Sequence, residues 1–209
     1  MSARRIARRV GTVLRLTRWD RRGLVTAVVG RVERMVVFAT SAPASIGMDE
    51  PSFRFRKLTA DDLRTVPMPG TFRDEQLVRL SRLGVSTAYG VFLDGELAHI
   101  SWFYDRELEG RCPPRYLDLL PDEGEISACF TLPGFRGQGT YGIAIRGICA
   151  VVARAGIRRV YMKTAPTNRA SRSGIERAGL QQCGDVIRII PPLAPSSAGW
   201  FVRRFPRRP

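Results

Sequence analysis

Between residues 136 and 142 the chain reads Arg136-Gly137-Gln138-Gly139-Thr140-Tyr141-Gly142. Glycines at that density let backbone amides come close to an anion. The apolar spacing of Tyr141, Ala144, Ile145, Ile148, Cys149 and Val152 predicts a helix over 140–154. Its first turn would present free N–H groups and the positive end of the helix dipole. The apolar run Glu125 to Leu132 ahead of the loop predicts a strand. Strand, glycine loop and helix N-terminus in that order make a cradle for a diphosphate. The same glycines also suit an ordinary strand-to-helix turn, and the loop by itself leaves these two readings level.

A second segment, Asn168-Arg169-Ala170-Ser171, opens a predicted helix over 168–178 that Gly179 stops. Together with Arg136 and Gly139 it resembles the GNAT superfamily of acetyl-CoA-dependent N-acetyltransferases, whose loop reads Arg/Gln-x-x-Gly-x-Gly/Ala and whose later helix opens Asn-x-x-Ser. The resemblance spans residues 53–190. Tyr141 stands where the second Gly or Ala is usual, a departure similar to that of a branch carrying Tyr there. The resemblance implies an α/β fold with a mixed central sheet, helices on both faces, and fourth and fifth strands (Glu125 to Leu132, Arg159 to Thr164) that splay apart. It also implies that acetyl-CoA lies with its pantetheine along Cys129, Phe130 and Thr131. The diphosphate would rest on Arg136, Gly137, Gln138, Gly139, Thr140 and Tyr141, with Asn168 and Ser171 beside the arm and no metal. Asn168 reads equally as a helix N-cap. The implied activity is acetyl transfer to a primary amine of an amino sugar, a small molecule or a peptide. In architecture the chain resembles GNAT-like proteins of bacterial surface-polysaccharide gene sets.

Such a reaction must take a proton from the amine and return one to the thiolate. The resemblance places the base at Glu125, six residues before Thr131, with Glu123 as substitute; a solvated acid at a strand entrance is the competing reading for either. Many relatives carry an acidic tyrosine seven residues after the helix asparagine, where this chain has Ile175. Tyr141, Tyr161 or solvent would then protonate the thiolate, or it leaves unaided, its conjugate acid having a pKa of roughly 8.5. His99 falls on a strand with alternating pattern and reads as structural. The missing tyrosine keeps open a non-catalytic acyl-CoA-binding or scaffold protein, and the basic ends keep open an RNA-directed acyltransferase.

The elements that would position these residues follow from the rest of the chain. Its 209 residues suit one core with extensions: a basic N-terminal extension at 1–50, the acyltransferase domain at 51–190 and a basic, proline-containing tail at 191–209. The net charge of +15 is concentrated at the ends. Residues 1–38 hold ten arginines against Asp20 and Glu33, and residues 200–209 hold four arginines and no acid. Ala3 to Trp19 and Leu24 to Val32 have the spacing of basic amphipathic helices. They suit packing onto the domain and peripheral contact with anionic lipid, Trp19 sitting at the interface. Nucleic acid ranks last, because aromatic residues for base stacking are scarce there. Met35 to Thr40 predicts a strand and 41–51 a linker.

Within the domain, Phe53 to Arg56 predicts a strand. Thr59 with Asp62, and Thr71 with Asp74, predict helix caps, and Gly84 a helix end. Ser86 to Leu93 and Glu96 to Tyr104 predict a hairpin turning on Asp94-Gly95. A loop over 110–124, the strand, helix, strand and helix already placed, and a last strand over Gln182 to Ile190 complete the order. Four separated cysteines and one histidine argue for reduced thiols and against a zinc site. With no long apolar run and no cleavable leader, the expected location is cytoplasmic, peripheral on the inner membrane face.

Overall fold

The computed structural model describes residues 31–40, 53–66, 70–83, 87–111, 116–190 and 200–204. The amphipathic helix expected over 3–19, the one expected over 24–32 as far as residue 30, the linker at 41–51 and Cys112 lie outside the described residues. The chain divides into two compact units, Val36–Cys183 and Met1–Met35 with Gly184–Pro209.

The strands are β1 (Arg31–Thr40), β2 (Phe53–Lys57), β3 (Ala88–Leu93), β4 (Glu96–Asp105), β5 (Glu123–Thr131), β6 (Arg159–Thr164), β7 (Gln181–Ile190) and β8 (Trp200–Arg204). The helices are α1 (Ala60–Thr65), α2 (Gly70–Leu83), α3 (Arg106–Arg111), α4 (Thr140–Arg154) and α5 (Arg169–Arg177). In the larger unit the strand order is β2-β3-β4-β5-β6-β1, with Val36–Thr40 supplying β1. All neighbours are antiparallel except β5 and β6, so the sheet is mixed, as expected.

Alternation along the strands feeds two cores. Phe103, Ile126 and Met162 pack with Ile145, Ile148, Val152 and Ile175 from α4 and α5. Ile100, Trp102 and Phe130 pack with Leu63 of α1 and Phe72 of α2. Helices therefore cover both faces. Where α4 crosses β2 the approach needs a glycine: a Cβ on Gly147 would stand 2.7 Å from the Phe55 ring.

Several local signals act as read. Thr59 and Asp62 form a capping box on α1. Asp94 and Gly95 adopt φ of 51° and 87°, the positive values a two-residue hairpin requires. Other expectations are corrected. Arg31 and Val32, expected at the end of the second helix, belong with Glu33 and Arg34 to β1. In the smaller unit Arg34 bonds Asp185 at 2.8 Å and Glu33 meets Arg188 at 3.4 Å, so distant partners settle a pattern that is helical in isolation. Trp200–Arg204, expected as tail, is a strand pairing antiparallel with β7 from Asp185↔Arg204 to Ile189↔Trp200. Arg106–Arg111, which overlaps the segment expected as loop, is a helix whose cap is Asp105, its Oδ1 accepting from the Leu108 amide at 2.8 Å. Helix α2 begins at Gly70, so Thr71 lies inside its first turn rather than before it.

Between β4 and β5 the register slips. Ile100 faces Phe130 and Trp102 faces Ser127, leaving Ala128 and Cys129 together opposite Ser101. Ala128 takes φ of 50° to form this bulge. Beyond it the side chains change face, and Thr131 comes opposite His99. The fully buried imidazole bonds Thr131 Oγ1 through Nδ1 and Ser101 Oγ through Nε2, each at 2.7 Å. Burial holds its pKa down at about 3 against an ordinary 6.5.

Two outcomes are expected. Below about pH 6.5 the unfolded chain protonates His99 while the folded chain does not, so its contribution to stability declines as pH falls from 6.5 toward 3. Thermal melting at pH 7 and pH 5 should show a smaller loss in His99→Gln than in the parent. Gly147→Ala should cost about 1–3 kcal/mol in urea titration by overpacking against Phe55, with partial recovery when Phe55→Leu is added.

Candidate active site

Strands β5 and β6 pair from Glu123↔Arg159 to Ile126↔Met162 and no further, although β5 runs on to Thr131 and β6 to Thr164. Two parallel strands that part in mid-course leave backbone without a ladder partner and open a slot in the sheet. A cavity of about 880 Å³ occupies the slot. Its walls are Ile126 to Thr131 on one side and Met162 to Thr164 on the other, and it reaches the glycine loop and the N-terminal ends of α4 and α5.

At the loop end a 3₁₀ turn at Pro133–Phe135 leads into Gly137 and Gly139, with φ of 81° and 79°. Gly139 is the N-cap of α4, brings no side chain to cap it, and no acid stands in the first turn. The first-turn amides have no acceptor within the helix and remain available to an anion. Gly139 and Gly137 line the cavity with Arg136, Thr140, Arg146 and Arg177. Arg146 folds back over its own helix: a Cβ on Gly142 would lie 3.2 Å from its Nη1. Among the described residues the lining includes four cations, counting Lys163, and no carboxylate. Gln138 is the exception to the expected loop set. Its side chain donates to the Gly134 carbonyl at 3.1 Å and does not reach the cavity wall.

Cys129, Phe130, Thr131, Tyr141, Asn168 and Ser171 all line the cavity. Asn168 Oδ1 accepts from the Ser171 amide at 3.1 Å, the N-cap geometry. Tyr141 lies on Gly174, where a Cβ would be 2.6 Å from its ring, and its hydroxyl sits 3.2 Å from Ser171 Oγ. Burial, and then the neighbouring Cys129, push the phenol pKa well above its ordinary value, so Tyr141 keeps its proton. Burial likewise raises the Cys129 thiol to about 11, against hydrogen bonds from Ser101 and Tyr141.

Ile175, at the position of the expected tyrosine, is fully buried in the core. Tyr141 puts a phenol against the neighbouring residue of the same helix from the opposite wall. Tyr161, the other phenol considered, donates to Glu123 Oε1 at 2.9 Å and does not line the cavity. Glu123 also accepts from the Leu120 amide at 2.9 Å. The Glu125 side chain is 2% exposed, lies behind the wall and bonds Lys163 Nζ, which does line the cavity. Sequence reasoning missed Lys163, Arg146 and Arg177. For Arg146 a signal existed, since it stands four residues after a glycine in the first turn of the helix.

No family model and no curated protein matches this sequence. Solved structures do. An acetyltransferase assigned to the GNAT family from Novosphingobium aromaticivorans superimposes with a TM-score of 0.51 at 20% identity, over 76% of this chain and 63% of that one. A GNAT-family acetyltransferase from Colwellia psychrerythraea gives 0.53 at 11% identity, over 79% and 59%. A GCN5-related glucosamine N-acetyltransferase region within a fungal multi-domain β-N-acetylglucosaminidase gives 0.54 at 9%, over 74% and 20%. The chain thus spans less than two thirds of the length of each of these proteins. These superpositions show that the chain has the fold of the GNAT acetyltransferases.

Proposed function

We propose that this chain is an acyltransferase that takes the acetyl group of acetyl-CoA to a primary amine. The observation that carries the reading is one continuous cavity joining an uncapped helix N-terminus at one end to a parted pair of parallel strands at the other. The residues fit the co-substrate. Arg136, Gly137, Gly139 and Thr140 would hold its diphosphate, with Arg146 and Arg177 adding positive charge. Backbone along Cys129 to Thr131 offers a ladder edge for the amides of the arm. The co-substrate supplies an activated acyl thioester.

The protein's own part is orientation and charge. The bulge at Ala128 turns an amide off the β4 ladder, the kind of fixed donor that stabilises an oxyanion. Tyr141, protonated and at the cavity wall, is the proton donor to the departing sulfur in this reading, replacing the phenol absent at Ile175. Amino sugars, small amines and peptides are the acceptor classes. The arginine-rich N-terminal segment is assigned to peripheral contact with anionic lipid on the cytoplasmic face. The burial of Ile175 favours one second reading, a binder of acyl-CoA that does not turn over.

Calorimetric titration should show coenzyme A binding, weakened about tenfold or more in Gly139→Val, where a β-branched residue must take left-handed backbone. Thiol release from acetyl-CoA is measured with a panel of amino sugars, amines and basic peptides. Tyr141→Phe should lower kcat roughly a hundredfold with little change in KM for acetyl-CoA. Binding without release for any acceptor selects the second reading, and absence of binding removes both.

A further inference from the structure

Lys57 and Lys163 are the only lysines among the 34 basic residues of this chain. Lys57 is exposed, on β2. Lys163 stands at the fork, the first residue of β6 beyond its last pairing with β5, with its side chain 12% exposed and lining the cavity. Its ammonium is held between the buried Glu125 carboxylate and the face of Tyr116, whose ring centre is 4.8 Å away. An arginine would pair with Glu125 at least as well, and this chain uses arginine for its other described ion pairs. What lysine alone adds is a nitrogen that can lose its proton and act as a nucleophile.

We propose that Lys163 is itself an acetyl acceptor, with Glu125 as the base that frees its amine. The inference rests on the acyl-CoA reading above. The cradle fixes the diphosphate at one end of the cavity, which leaves the fork as the place for the thioester, and Lys163 Nζ is at the fork. Glu125 Oε1 takes one proton from Nζ along the hydrogen bond that already joins them. The free electron pair of Nζ attacks the thioester carbonyl, the C–S bond breaks, and the thiolate takes a proton from the Tyr141 hydroxyl or solvent. The nitrogen loses its remaining extra proton to solvent. The products are Nε-acetyl-Lys163 and coenzyme A. Two fixed contacts on Nζ lower the entropic cost of attack relative to a free surface lysine. The acetylated side chain is neutral, so Glu125 keeps its new proton or stands buried without its cation, and the modified protein should melt at a lower temperature.

The test uses the full chain with acetyl-CoA and no added acceptor, followed by intact mass and peptide mapping, with calorimetry for coenzyme A in parallel. Lys57 and urea-unfolded protein report uncatalysed acetylation. The expected result is one acetyl group at Lys163, formed at least ten times faster than at Lys57. Lys163→Arg should gain nothing above the Lys57 background, and Glu125→Gln should slow the reaction at least tenfold while coenzyme A still binds. Coenzyme A binding with Lys163 acetylated no faster than Lys57 overturns this proposal and leaves the acyl-CoA reading standing. Absence of coenzyme A binding overturns both. Mapping on the unmodified sequence decides the matter even if a variant fails to fold.

Discussion

Two parallel strands that bond for four residue pairs and then separate are the feature on which the rest of this structure depends. Backbone left without a ladder partner inside a protein must find another partner or face a cavity, and here it faces the cavity. The cost is met by the surroundings. β4 continues to bond β5 as far as Thr131, and β1 bonds β6 from Val160 to Thr164, so each strand stays fixed on its outer side while the inner sides diverge. A fork supported in this way is rigid, and rigidity is what a site needs if it is to aim backbone donors rather than collapse around them.

The polar groups near the fork follow the same logic of fixed, largely neutral parts. His99, held neutral by burial, links Thr131 to Ser101 across the bulge; Ser101 and Tyr141 both bond Cys129, and Tyr141 meets Ser171. None of these side chains carries charge at neutral pH, so the array can be buried without counter-ions. The charges in the cavity wall are all positive. Three belong to Arg136, Arg146 and Arg177, and the fourth, on Lys163, is matched by Glu125.

Ile175 and Tyr141 divide the core and the cavity wall between them. Full burial of an isoleucine side chain stabilises a core by roughly 1.5–3 kcal/mol. Ile175 serves the core in that way. The Tyr141 phenol of α4 lies beside it, and it fits because residue 174, one position before, is glycine.

Local chemistry was legible in the residues themselves. The capping box at Thr59, the Asp94-Gly95 turn, the loop at 136–142 and the periodic α4 depend on neighbours a few residues away, so a linear reading recovers them. The same holds for the cavity-lining set of Cys129 to Thr131, Arg136, Asn168 and Ser171, whose spacing along one strand and two helix starts survives folding. Other features were decided by partners distant in sequence. Arg31 to Arg34 become strand through Asp185 and Arg188, and Trp200–Arg204 becomes strand through β7. The bulge at Ala128 reverses the alternation a strand reading assumes, which brings Thr131 to His99. Glu125 read as an accessible acid, because a sequence does not show that residue 163 lies beside residue 125 and that the lysine, not the carboxylate, reaches the cavity. Spacing along the chain determines what a segment can form, whereas burial and pairing across strands determine which of its atoms meet the cavity.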